Sequence, residues 1–202
     1  ACSGTKYVPE GDYLLDKVEV KSELSGFDAS SLSAYVKQTP NTKWFSLFRI
    51  PLATYSLSGR DTTKWVNRTL RNIGQAPVVY DTLLTNTSSA ALSMAMRNRG
   101  YMHADVDVKT KRKGKKIKVV YELTPGEQYF IGSIRYDIED DSIAKILKND
   151  KASMLRRGAP FTVDKLDAER KRITSLLMDR GYYRFHKDFI TYSADSSRYS
   201  SD

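Results

Sequence analysis

Met96-Arg97-Asn98-Arg99-Gly100-Tyr101-Met102 and Leu177-Met178-Asp179-Arg180-Gly181-Tyr182-Tyr183 carry the same Arg-Gly-Tyr junction, 81 residues apart. Each copy follows residues with apolar positions at helical spacing and precedes a stretch that alternates. Each therefore reads as the turn from an amphipathic helix into a strand. Glycine takes the left-handed conformation there at no steric cost, arginine favours the carbonyl end of the helix, and tyrosine anchors the strand entry. Two copies in one order imply that the chain repeats a supersecondary unit.

Around the first copy, a helix opens at Asn86 or Thr87 and carries Ala91, Leu92, Ala95 and Met96. Tyr101 to Val108 then alternates into a strand, Lys109 to Lys116 turns at Gly114, and Ile117 to Leu123 alternates back, which predicts a β-hairpin. Upstream, Tyr13 to Lys21 predicts a half-buried strand, and Asp28 caps a helix running to about Gln38, stopped by Thr39-Pro40. Lys43 to Tyr55 is too apolar for a solvated loop and either packs on the module or forms a contact surface. Asp61 opens a further helix through about Asn72, closed by Gly74, and Ala76 to Asp81 reads as an extended linker.

Around the second copy, Thr124 to Glu127 is a tight turn and Tyr129 to Ile138 a strand. Asp141 to Asn149 is a short helix. Val163 to Arg180 is a long amphipathic one with Leu166, Ile173, Leu176 and Leu177 on its core face, and Tyr182 to Tyr192 is strand again.

With 202 residues the chain accommodates two modules, and 40% hydrophobic with 28% charged residues is the composition of a folded globular protein. No run is long and apolar enough for a transmembrane helix. One cysteine and two isolated histidines supply neither a disulfide framework nor a zinc site, so no metal and no cofactor are expected. No Ser or Cys nucleophile sits in a motif with histidine, no glycine-rich phosphate loop occurs, and the carboxylates are scattered, so the chain reads as no enzyme. The net charge of +9 leaves nucleic acid, anionic lipid and acidic protein segments open as partners.

The strand–helix–helix–strand–strand order, the long helix ending in Arg180-Gly181-Tyr182-Tyr183 and the joining segment Leu123 to Ile134 resemble POTRA domains of the BamA/TamA outer-membrane assembly superfamily. Cys2, the Lys6-Tyr7-Val8-Pro9-Glu10-Gly11 stretch and the insertion from Trp44 to Tyr80 resemble its TamA-like lipoprotein branch in Bacteroidetes, often called TamL. The resemblance implies an α+β chain of tandem βααββ modules, each a small three-stranded mixed sheet covered on one face by helices. Residues 1–12 would be a lipoprotein tail and linker, 13–126 a first module with an insertion at about 41–85, and 127–202 a second module ending before its last strand. The family's C-terminal β-barrel is not in this sequence, so a piece of a larger protein is expected.

The resemblance also implies a function in handling outer-membrane client polypeptides by β-augmentation, with accessory assembly subunits and the protein's own β-barrel as further partners. The second strand of such folds is an edge strand, which points to Tyr101, His103, Asp105 and Asp107 in the first module. In the second it points to Tyr182, Arg184, His186, Asp188 and Ile190. Ala1-Cys2 fits a lipoprotein processing junction, so an acylated Cys2 would hold the chain on the periplasmic face of the outer membrane. Trp44, Phe45, Phe48 and Trp65 are core of an enlarged module or a docking patch. Six of the eight residues from Lys109 to Lys116 are basic. Lys111, Arg112, Lys113, Lys115 and Lys116 are a solvated hairpin tip or an anionic contact, with nucleic acid not expected. The alternative reading of the whole is a basic adaptor for anionic lipid surfaces or nucleic acid.

Overall fold

The computed structural model describes residues 4–42, 50–59, 61 and 63–195; Cys2, Trp44, Phe45 and Phe48 lie outside the described residues. The chain groups into two compact units, Ala1–Arg97 with His103–Glu127, and Asn98–Met102 with Gln128–Asp202. The first unit contains β1 (Leu14–Ser22), α1 (Ile50–Leu57), α2 (Trp65–Ile73), most of α3 (Thr82–Asn98), β2 (Asp105–Lys113) and β3 (Lys116–Thr124). The second contains α4 (Asp141–Asn149) and α5 (Val163–Asp179).

The chain is of the α+β class, with a three-stranded mixed sheet of order β1-β3-β2. β3 runs parallel to β1 and antiparallel to β2. Its alternation decides this place: Ile117, Val119, Tyr121 and Leu123 are all buried, and a central strand needs an apolar face along its whole length. Leu92, Ala95 and Met96 of α3 and Leu14, Leu15 and Leu32 are buried as well. The opposite face of β1 and β3 is ionic. Glu19 pairs with Lys17, with Lys118 at 2.9 Å and with Lys21 at 3.3 Å. Lys17, then Lys118, draw the Glu19 carboxyl down to a pKa of about 2.

Several expectations are corrected. The Asp28-capped helix is a 3-10 turn over Ala29–Tyr35. Its serines bond backward to the main chain, Ser31 Oγ to the Asp28 carbonyl at 2.8 Å and Ser33 Oγ to that of Ser30 at 2.7 Å, which competes with α-helical bonding. Residues 4–12 are a folded segment, with Val8 buried against Leu14 and Leu52. The 76–81 linker joins the sheet margin, where Leu15 N–H donates to the Val78 carbonyl and Tyr80 N–H to that of Tyr13, both at 2.8 Å. α3 opens at Thr82, because Asp81 accepts from the Leu83 and Leu84 N–H groups.

In the second unit the strands expected at 129–138 and 182–192 do not form. Phe130 makes one isolated bridge to Pro160, and Lys187–Phe189 is a 3-10 turn. A strand needs a neighbour to satisfy its main chain, and the described residues of this unit contain no counterpart of β3. The unit's buried apolar residues are instead Ile173 and Leu177 of α5 with Ile131 and Leu155. Glu169, also wholly buried, accepts a two-pronged bond from Arg172 (2.9 and 2.8 Å) and the Met154 N–H at 2.9 Å. Burial pushes its carboxyl up, but Arg172 and Met154 outweigh this and hold it below the usual range.

The repeated junction has the same geometry in both copies, with φ of +96° at Gly100 and +97° at Gly181. After α5, Tyr182 N–H donates to the Leu177 carbonyl at 3.0 Å and Gly181 N–H to that of Met178 at 3.0 Å, a Schellman cap.

Candidate binding edge

β2 is an outer strand of the sheet, and its main chain decides which part can take a new neighbour. Leu123 on β3 is registered with Val106 on β2, yet the Leu123 carbonyl accepts from Glu23 N–H at 3.3 Å, on the β1 side. In an antiparallel ladder a residue's N–H and C=O point the same way, so Leu123 and Val106 form a pair without ladder bonds and Val106 faces outward. By the alternation of the ladder, Val108, Thr110 and Arg112 also face outward, whereas Asp105, Asp107, Lys109, Lys111 and Lys113 spend their main-chain groups on β3.

α3 closes the start of that edge. Ser93 Oγ donates to the Ala104 carbonyl at 3.2 Å and Ser89 Oγ to that of Val106 at 3.4 Å, two serines one helical turn apart meeting alternate outward carbonyls. The stretch left open is Val108 to Arg112. The opposite margin of the sheet is a poorer template: residues 78–80 cover its start, and the β1–β3 register shifts between Leu15 and Lys17.

Tyr101 and His103 precede β2, His103 in a turn, and neither is on the strand. Asp105 and Asp107 are on it, but at positions that face β3. Tyr182 belongs to the α5 cap, Arg184 to a turn, and His186 and Asp188 contact one another at 3.0 Å around the 3-10 turn that ends before Ile190. None of these second-unit residues lies on an edge strand. Val108, Thr110, Ser89 and Ser93 were missed, because outward orientation depends on ladder phase, which alternation of side chains does not report.

The basic hairpin overlaps the open edge. Lys111 is registered with Lys118 and Lys113 with Lys116, like charges directly opposed, an arrangement that costs stability. Lys118 has Glu19 and Lys116 has Asp16 at 3.6 Å, but Lys111, Lys113 and Lys115 form no ion pair among the described residues. Lys109 is taken by Glu122, which raises its pKa, and Arg112 lies over the Tyr13 ring at 4.8 Å. Trp65 stands on α2 with its side chain exposed.

The chain is similar in structure to BamA POTRA3-5 of Haemophilus influenzae. The TM-score is 0.31 and the identity 10%, over 87% of this chain and 89% of that one. No family model matches the chain, and no curated protein is similar to it. An overlap of this size leaves the functional reading to the strand geometry.

Proposed function

We propose that the chain is the periplasmic, POTRA-type part of an outer-membrane assembly factor, of the TamL-like lipoprotein branch, tethered through an acylated Cys2. It binds extended client segments by β-augmentation, without chemistry of its own. The observation that carries this reading is the open Val108–Arg112 edge, where three residues offer main-chain donors and acceptors to a neighbouring strand with little demand on its sequence. The unpaired Lys111, Lys113 and Lys115 favour clients with acidic residues on the facing positions, as opposite charges across a strand pair are stabilising.

The test is photocrosslinking from positions 110 and 112 in cells making the protein. Crosslinks to many unfolded envelope polypeptides are expected. Crosslinks to one or two fixed subunits only would make the edge a docking scaffold and contradict client handling.

The same lysines support a second reading, a basic adaptor for nucleic acid or lipid. Steeply salt-dependent binding to DNA or RNA, lost on charge reversal at Lys111 and Lys113, would favour it.

A further inference from the structure

α2 is built inside out. At about 100° per residue, Trp65, Val66, Leu70 and Ile73 share one arc of the helix, and Asn67, Arg68, Arg71 and Asn72 share the other. The polar arc is the one that meets the fold. Asn67 accepts from Gly59 N–H at 2.8 Å and donates to the Asp61 carbonyl at 2.7 Å. Arg71 donates to the Gly59 carbonyl at 2.9 Å and to Ser58 Oγ at 3.2 Å, and its guanidinium lies 5.3 Å from the Tyr7 ring centre and 5.6 Å from that of Tyr55.

The seating is close. A Cβ on Gly59 would lie 2.7 Å from Asn67 Nδ2, and one on Gly74 would lie 2.5 Å from Tyr55 N. Close approaches at Asn67 on the polar side and at the C-cap Gly74 keep the helix from rolling its other side inward. The apolar arc is therefore held in water: Trp65 is 73% exposed, Ile73 70% and Val66 47%, with Leu57 at the end of α1 exposed as well. An ordinary surface helix does the reverse.

We propose that this arc is a membrane-surface contact, seated in the headgroup region of an anionic bilayer. The net charge of the sequence segment that contains it selects lipid. Residues 41–80 contain six basic side chains (Lys43, Arg49, Arg60, Lys64, Arg68 and Arg71) and one acidic, Asp61. Lys64, at the N-terminal end of α2, and Arg68, three residues after Trp65, are exposed and within reach of headgroup phosphates while Trp65 enters the interface, the depth tryptophan favours. A helix with a basic polar side and a Trp-bearing apolar side is the form that lies in a membrane plane.

The folded N-terminal segment reaches the same place. Lys6 Nζ donates to the Ser56 and Ser58 carbonyls at 3.1 and 3.0 Å, at the α1 end that also seats α2. The helix contact needs neither the acyl chain nor the client edge.

The test is flotation of the whole 202-residue chain with vesicles of equimolar phosphatidylglycerol and phosphatidylcholine, and with phosphatidylcholine alone. Flotation with the anionic vesicles only, weakening with salt, is expected. In a W44F background, Trp65 emission should shift to the blue on binding. The W65S/I73S double variant, altered only at exposed positions, should bind about tenfold more weakly or worse, and T69L, which fills a gap in the arc, should bind more tightly. Three results would overturn the proposal: no flotation of the wild-type chain; flotation unchanged in W65S/I73S and abolished by K111E/K113E; or a wild-type dimer that W65S/I73S turns into a monomer without any lipid effect.

Discussion

The Ser89 hydroxyl on α3 lies 3.4 Å from the carbonyl of Val106 on β2, and this contact marks where the exposed margin of the sheet begins. Before it the edge is occupied by the protein's own helix; after it, Val108, Thr110 and Arg112 turn their main-chain groups outward.

Proline separates these two kinds of position. At Thr110 it removes an outward N–H and leaves the ladder intact, so T110P should fold while binding a strand-forming client peptide about tenfold more weakly. At Lys111 it removes a bond to β3, and K111P should cost about 3 kcal/mol. Urea unfolding beside peptide titration checks both. A T110P variant that binds normally removes the edge from the account.

The two junction glycines should differ in sensitivity. Gly181 has nothing near a built Cβ, so G181A should cost only the left-handed backbone penalty, about 1–2 kcal/mol. At Gly100 a Cβ would lie 2.6 Å from the Phe161 carbonyl, and G100A should cost about 3 kcal/mol or more. Equal losses in thermal unfolding would contradict the close approach.

The helical repeat and the hairpin were legible in the sequence because each rests on local periodicity, alternation through Ile117, Val119, Tyr121 and Leu123 and one Arg-Gly-Tyr turn at each helix end, whereas the mixed sheet was expected only from the family resemblance. What was illegible depends on partners remote in sequence. Tyr182 to Tyr192 alternates well enough to be a strand, yet has no strand to pair with among the described residues. α2 was readable as a helix, but only its hydrogen bonds reveal that Asn67 and Arg71 face inward. Glu169 lies between Leu166 and Ile173 on the core face and is buried there, because Arg172 three residues later makes its burial tolerable.

That buried pair should behave asymmetrically. Glu169→Ala takes one of two carboxylates from Arg172, which keeps Asp150 at 2.5 Å, and should cost about 3 kcal/mol. Replacing both partners, Glu169→Leu with Arg172→Met, should cost less than the sum of the two single changes, since the one charge it leaves unpaired is Asp150, which the Arg172 change exposes in any case. A double-mutant cycle in urea measures it; additive losses would show that the pair is not coupled.

Acid should loosen the first unit through Glu19. Its folded pKa of about 2 lies below the ordinary carboxylate value of 4.5, so its contribution is complete above about pH 4.5 and is lost as the pH falls toward 2. Stability of E19Q should be lower at neutral pH and flatter across that window than that of the wild-type chain. Parallel pH profiles for the two would remove Glu19 as the cause.

The central claim is strand addition at the open edge, and amide hydrogen exchange resolved by residue tests it most directly. A synthetic peptide with the alternating pattern of an outer-membrane β-strand should slow exchange at Val108, Thr110 and Arg112, with little change at Lys109 and Lys111, which already bond to β3. Binding that leaves those three amides exchanging freely would show that clients dock elsewhere and would contradict the account.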